Sequence, residues 1–141
     1  MGRMTDSLSI ELLVAGHRVA RLLDGGLRAV GLSAGEAVLL TALGEGALTM
    51  GGIMGTLHIG GSTATSLVTR LERAGLVTKT RNPEDARSYI VEVTDAGRAA
   101  GETARAAFGA IDRELGAAGQ TAIAGHRSLM ARLAALAPAL D

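Results

Sequence analysis

One run, GSTATSLVTRLERAGLVTKTRNPEDARSYIVEVTDAGR (residues 61–98), restricts the fold more than any other part of the chain. Within residues 62–74, Ala64, Leu67, Val68 and Leu71 gather on one face at roughly 100° per residue, the period of an amphipathic helix. Gly75 follows at the C-cap. The character then changes. LVTKT (76–80) and SYIVEV (88–93) carry the branched and aromatic residues of strands. RNPEDA (81–86) between them is a turn, with Pro83 fixing one backbone angle. Thr94 caps a further helix, and Asp95 suits its first turn. A helix, a hairpin and a helix in immediate succession leave few ways to bury all three apolar sides.

The flanks are helical. Residues 7–30 predict one long helix with two apolar stripes: Leu8, Leu12, Ala15, Val19 and Leu22, then Leu13, Ala20, Leu23, Leu27 and Val30 at another angle. Two stripes imply cover on two sides: one by this chain's core, the other by a partner or by further packing within the chain. Ser33 and Glu36 form an S-x-x-E capping box, with Leu32 ahead of it as a staple, and open a helix over residues 34–43. MGGIMGTLH (50–58) fits a short helix through Ile53, Met54 and Leu57. Yet Gly51, Gly52 and Gly55 each weaken such a helix by roughly 1 kcal/mol against Ala, which leaves its state open. Gly60 and Gly61 predict a tight turn. The helix after Thr94 should run to about residue 115, GAAGQ should break it, and a last helix should span about 121–138. Leu129, Leu133, Leu136 and Leu140 make a seam at 4-3-4 spacing. The expectation is a mainly α protein with a small β-hairpin wing, one domain over residues 1–141.

Composition excludes several functions. The chain has no cysteine, which removes disulfides, thiolate metal sites and thiol redox sensing. His17, His58 and His126 lack metal-ligand spacing. No nucleophile, base and orienting group cluster, and no phosphate-cradling Gly motif precedes a Lys, so neither an enzyme nor a cofactor is expected. No apolar run reaches membrane-span length and the N-terminus lacks a signal-peptide pattern, which makes a cytoplasmic protein the expectation. Fourteen basic and fourteen acidic residues cancel, so nucleic-acid binding would have to rest on local charge.

Local charge is present. Two short helices joined by a Gly turn and followed by a hairpin is the order of a winged helix-turn-helix. On residues 62–74 the face away from the apolar stripe carries Ser62, Ser66, Thr69 and Arg73, with Thr63, Thr65 and Arg70 alongside. Hydroxyls bond phosphates or base edges, and a guanidinium forks onto guanine. An ordinary solvated face is the alternative. In the wing, Asp85 and Arg87 fall on one side of an extended segment, so Asp85 can hold the guanidinium of Arg87 or of a nearby Arg.

LSAGEAVLLTAL, IGGSTATSLVTRLERAGLV and NPEDARSYIVEVTDAGR, in that order, resemble the MarR family of bacterial transcription regulators over residues 32–98. Asp85-Ala86-Arg87 stands where the family places an Asp-x-Arg in its wing. Three glycines in residues 50–58, Ser66 and Thr80 depart from the family pattern, which has good helix formers at the first and often basic residues at the other two. The resemblance implies a regulator, in the form of a ligand-responsive repressor, with a DNA-binding lobe at residues 32–98 and dimerisation helices at 7–30 and 99–138. It implies a homodimer on a palindromic double-stranded operator and a possible small-molecule effector. Residues 62–74 would enter the major groove and Arg87 the minor groove, with Lys79 and Arg81 on phosphates. The rival reading is a winged-helix dimer that acts through protein contacts without an operator.

Without a thiol, thiol-specific oxidants should leave DNA binding unchanged. A loss that dithiothreitol reverses, measured by DNA titration, would contradict this.

Overall fold

The computed structural model of the protein describes residues 6–140, with side chains as far as residue 136. Among these residues the order is α1 (Leu8–Leu27), α2 (Ala34–Leu43), β1 (Leu48–Thr49), α3 (Met50–Leu57), α4 (Gly61–Arg73), β2 (Val77–Asn82), β3 (Asp85–Val93), α5 (Asp95–Gly116) and α6 (Gln120–Leu140). The backbone forms two compact units, Met1–Phe108 and Gly109–Asp141, and their boundary falls inside α5. No single helix among the described residues is long and apolar enough to cross a membrane.

Four helices start in the same way. Ser7, Ser33, Thr49 and Thr94 each accept a hydrogen bond from the backbone N–H three residues on, which satisfies a donor that the helix leaves unpaired. The expected capping box at Ser33 closes differently from the usual one: the Glu36 carboxylate accepts from the Ser33 hydroxyl, at 3.0 Å. α4 starts without such a cap, on Gly60.

The core of the first unit is aliphatic. Leu23 and Leu27 of α1 meet Leu39, Leu40 and Leu43 of α2, with Ile53, Val68, Leu71 and Val91 also buried. The stripe predicted on residues 64–71 is buried in full. The stripes of α1 fare differently. Only the C-terminal end of the second stripe is buried, while Leu13 is 68% exposed and Leu22 of the first stripe 66%. In the second unit, α6 has no buried residue among those whose side chains are described. Leu129, Leu133 and Leu136 stand exposed there, and the Leu140 side chain lies outside the described set.

Several boundaries depart from expectation. Residues 50–57 are helical in spite of their glycines, because Thr49 caps them and Ile53 anchors them. Gly60 and Gly61 do not form a tight turn: Gly60 is the N-cap of α4 and Gly61 its first residue, while the chain reverses at His58 in the left-handed region, φ 53°. The hairpin strands reach further than predicted, leaving only Pro83 and Glu84 between them. The sheet also has a third strand. β1 pairs antiparallel with β3, Leu48 opposite Val91, giving the order β1-β3-β2. The last helix continues past the predicted stop, to Leu140.

α4 ends in a Schellman motif, with Leu76 N–H bonded to Leu71 C=O, Gly75 N–H to Glu72 C=O, and Gly75 at φ +74°. The base of the wing packs on this turn. Thr94 N–H donates to Leu76 C=O at 3.0 Å, and its hydroxyl to Gly75 C=O at 2.7 Å. Gly97 presses so closely on the Leu76 carbonyl and on Val93 that a Cβ there would collide with both.

Gly97→Ala should therefore lose about 1–3 kcal/mol in thermal or denaturant melting, since the obstacle is backbone. Gly55→Ala, in open space on α3, should gain about 0.5–1 kcal/mol. Equal effects of the two would remove the close approach as an explanation.

Candidate nucleic-acid interface

The buried stripe of α4 fixes which side faces out. With Ala64, Leu67, Val68 and Leu71 buried, Ser62, Thr63, Thr65, Ser66, Arg70 and Arg73 are exposed and Thr69 is half-buried. All seven predicted residues of this helix thus lie on its accessible surface. The face offers hydroxyls towards the N-terminus and guanidiniums in the last turn. The first turn holds no acid and no side-chain cap, so its leading N–H groups are open to an anion.

Arg70 has a partner that the sequence pattern did not suggest. Its Nε lies 3.7 Å from Oε1 of Glu36 on α2, a carboxylate that the Ser33 hydroxyl also binds. S-x-x-E marked Glu36 as a cap. Pairing across two helices leaves no local signature.

The wing is built around a bulge. β2 and β3 pair regularly from Val77 opposite Val93 to Arg81 opposite Tyr89, and then Asn82 faces Asp85. Ala86, Arg87 and Ser88 therefore have no facing residues on β2. Short polar bonds hold them. Asn82 accepts from Glu84 N–H through Oδ1 and donates from Nδ2 to Ser88 Oγ, both at 3.0 Å. The Ser88 hydroxyl donates to Asp85 C=O, and Arg81 Nη1 donates to Ala86 C=O at 2.7 Å. Asp85 Oδ1 accepts from Arg87 N–H at 3.0 Å and lies 3.7 Å from Arg87 Nε. The expected Asp85–Arg87 contact is present, and the carboxylate holds the backbone more closely than the guanidinium. The Arg87 side chain is 96% exposed, so its charge projects into solvent.

Lys79 and Arg81 share the Tyr89 ring. Lys79 Nζ sits 4.5 Å and the Arg81 guanidinium 5.4 Å from its centroid, cation–π distances. Arg81 Nη2 also reaches the Tyr89 hydroxyl at 3.4 Å. Arg81 thus braces the wing as well as charging it. Tyr89, Asn82 and Ser88 were not singled out from sequence. The Asn-Pro pair signalled a turn, and only the register put Ser88 and Tyr89 in reach of its strands.

Arg70→Ala leaves the Glu36 carboxylate without its cation and should cost about 1 kcal/mol of stability, a small figure because Arg70 is half exposed. Arg73→Ala, exposed and off the core stripe, should leave the melting temperature unchanged. Leu71→Ala, at a fully buried site, should cost about 2–5 kcal/mol. Chemical denaturation of the three variants checks the order.

Comparison with known proteins places this geometry. The family model described as MarR family matches residues 30–88. Among curated proteins no match is found. A probable transcriptional regulator from Pseudomonas aeruginosa is 29% identical and superposes with a TM-score of 0.78, over 93% of this chain and 99% of that one. A MarR-family transcriptional regulator from Rhodococcus sp. RHA1 is 23% identical, with a TM-score of 0.82 over 95% of this chain and 96% of that one. A mutant MarR from E. coli complexed with operator DNA is 20% identical, with a TM-score of 0.77 over 94% and 99%. The winged helix at residues 30–88 thus matches the MarR family model, and the fold around it is similar to that of these regulators.

Proposed function

We propose that the chain is a transcriptional regulator that binds a palindromic operator as a homodimer, with α4 in the major groove and the wing in the minor groove. The observation that carries this reading is Arg87: a fully projecting guanidinium on a bulge whose backbone is fixed by side chains around it. Such a group suits the narrow, electronegative minor groove. The hydroxyl and guanidinium face of α4 supplies contacts to phosphates and base edges. The E. coli relative with the same fold was solved on operator DNA, which supports the same use here.

Apolar exposure supports the dimer. Leu8, Leu13, Val14 and Leu22 on α1, and Leu129, Leu133 and Leu136 on α6, are surfaces that a lone chain leaves wet. In this reading α1, α5 and α6 form the pairing region and residues 32–98 the DNA-binding lobe. A two-fold axis would set the half-sites one helical turn apart. The regulator acts in the cytoplasm as a repressor, without catalysis, and a small molecule lowers its operator affinity. Tyr89 and Phe108 are the only aromatic residues, so a pocket for that effector has aliphatic walls.

A second reading, a winged-helix dimer that works through protein contacts, draws on the zero net charge and on the hydroxyls where cations could stand. Salt dependence separates the two, because phosphate contacts release counterions. A duplex selected by the purified chain from a random pool should bind less tightly as salt rises. Arg87→Ala should weaken binding and flatten the slope of log affinity against log salt by about one contact, with an unchanged melting temperature. Anisotropy titration at several salt concentrations measures both. Unchanged affinity and slope would reduce the wing tip to an ordinary charged turn. Sedimentation that finds only monomer at micromolar concentration would remove the dimer.

A further inference from the structure

Glu36 is the one buried charged residue among those described, at 9% exposure. Its carboxylate is tied to the cap of its own helix. The Ser33 hydroxyl donates to Oε1 at 3.0 Å, and the Glu36 N–H is bonded to the same Ser33 oxygen at 3.2 Å. The group also sits in the first turn of α2, where the helix dipole favours negative charge. Against this anion stands Arg70 of α4, with its Nε 3.7 Å from Oε1 and its side chain 54% exposed. Among the described residues the Arg70 guanidinium makes no hydrogen bond, and Glu36 is its ion-pair partner.

As a stabilising pair this arrangement is poor. An ion pair with one half-exposed partner contributes little, and burying the carboxylate costs solvation. Gln at position 36 would cap α2 as well without a charge to desolvate. The geometry does accomplish something a neutral cap cannot. A free arginine side chain samples many rotamers, which DNA must freeze on binding. One drawn at Nε towards a hydrogen-bonded carboxylate has part of that freedom removed in advance, which suits a planar fork that works only when directed.

We propose that Glu36 is a specificity-determining positioning residue: through Nε it aims the free Nη edge of Arg70 outward from the exposed face of α4, towards the DNA. The proposal rests on the DNA-binding reading above. It assigns to α2 a part in sequence discrimination without any contact between Glu36 and nucleic acid.

The test uses the full-length chain, a duplex it selects from a random pool, and a scrambled duplex of equal composition. Glu36→Gln keeps the Ser33 bond and removes the ionic grip. The ratio of selected to scrambled affinity should fall about tenfold, within the discrimination that one well-held arginine supplies. The salt slope should stay as in the parent, because Arg70 keeps its charge. In an Arg70→Met background the same Glu36→Gln change should leave the ratio where it is. Should Glu36→Gln fail to fold, Arg70→Lys carries the test: the charge stays, the Nε–Nη fork goes, and the same loss at constant slope is expected. A Glu36→Gln ratio within about twofold of the parent overturns the proposal. So does an equal fall without Arg70, which would make Glu36 a merely structural residue, and so does an undiminished ratio in Arg70→Lys. A parent chain that selects no duplex at all fails earlier, before any variant is made, and takes the DNA-binding reading down with the proposal.

Discussion

The tie between the end of α4 and the start of α5 is the constraint on which the rest of the winged helix hangs. Thr94 caps α5 by accepting from Gly97 N–H and sends two hydrogen bonds back to the turn: its N–H to Leu76 C=O and its hydroxyl to Gly75 C=O. These bonds close the base of the β2–β3 hairpin onto the Schellman turn of α4. The missing side chain at Gly97 is what lets the backbones come so near. Remove the tie and α4 could still form, but the wing would no longer have a set direction relative to it. The two surfaces assigned to DNA are therefore held together at their shared root and not by contacts at their tips.

On the proposed reading, a chain with no net charge obtains nucleic-acid affinity from placement. Its cations are few on the relevant elements, and all but Arg73 have an orienting neighbour among the described residues. Asp85 and Arg81 set the bulge that carries Arg87, Tyr89 seats Lys79 beside Arg81, and Glu36 faces Arg70. Oriented charge loses less entropy on binding than the same charge on free side chains, so a modest number can suffice.

What the sequence made legible follows from periodicity and caps. The stripe on α4, the cap residues Ser33 and Thr94, and the hairpin after Gly75 all rest on interactions within a few residues, and local pattern captures those. β1 escaped because two residues carry no period, and its partner Val91 lies far along the chain. The Gly60-Gly61 pair misled because adjacent glycines usually turn, whereas here His58 takes the left-handed conformation and leaves them to start a helix. At the candidate site, the exposure of Arg87 and of the α4 face was legible from residue type and order. The Glu36–Arg70 pair and the Tyr89 platform were not, because both depend on which residues face one another across elements.

The bulge at Ala86–Ser88 has an evolutionary consequence. Its shape is set by Arg81, Asn82, Asp85 and Ser88, and the bond from Asp85 to residue 87 reaches the backbone N–H. The side chain at 87 adds only an exposed ion pair with Asp85 to this frame and faces no residue on β2. A lineage can therefore exchange that side chain in one mutational step with little loss of stability, and so shift the contact it makes. The residues around it are not free to drift in the same way. The wing thereby separates the groups that set its shape from the side chain it presents, so a substitution at 87 changes the contact while the frame stays folded.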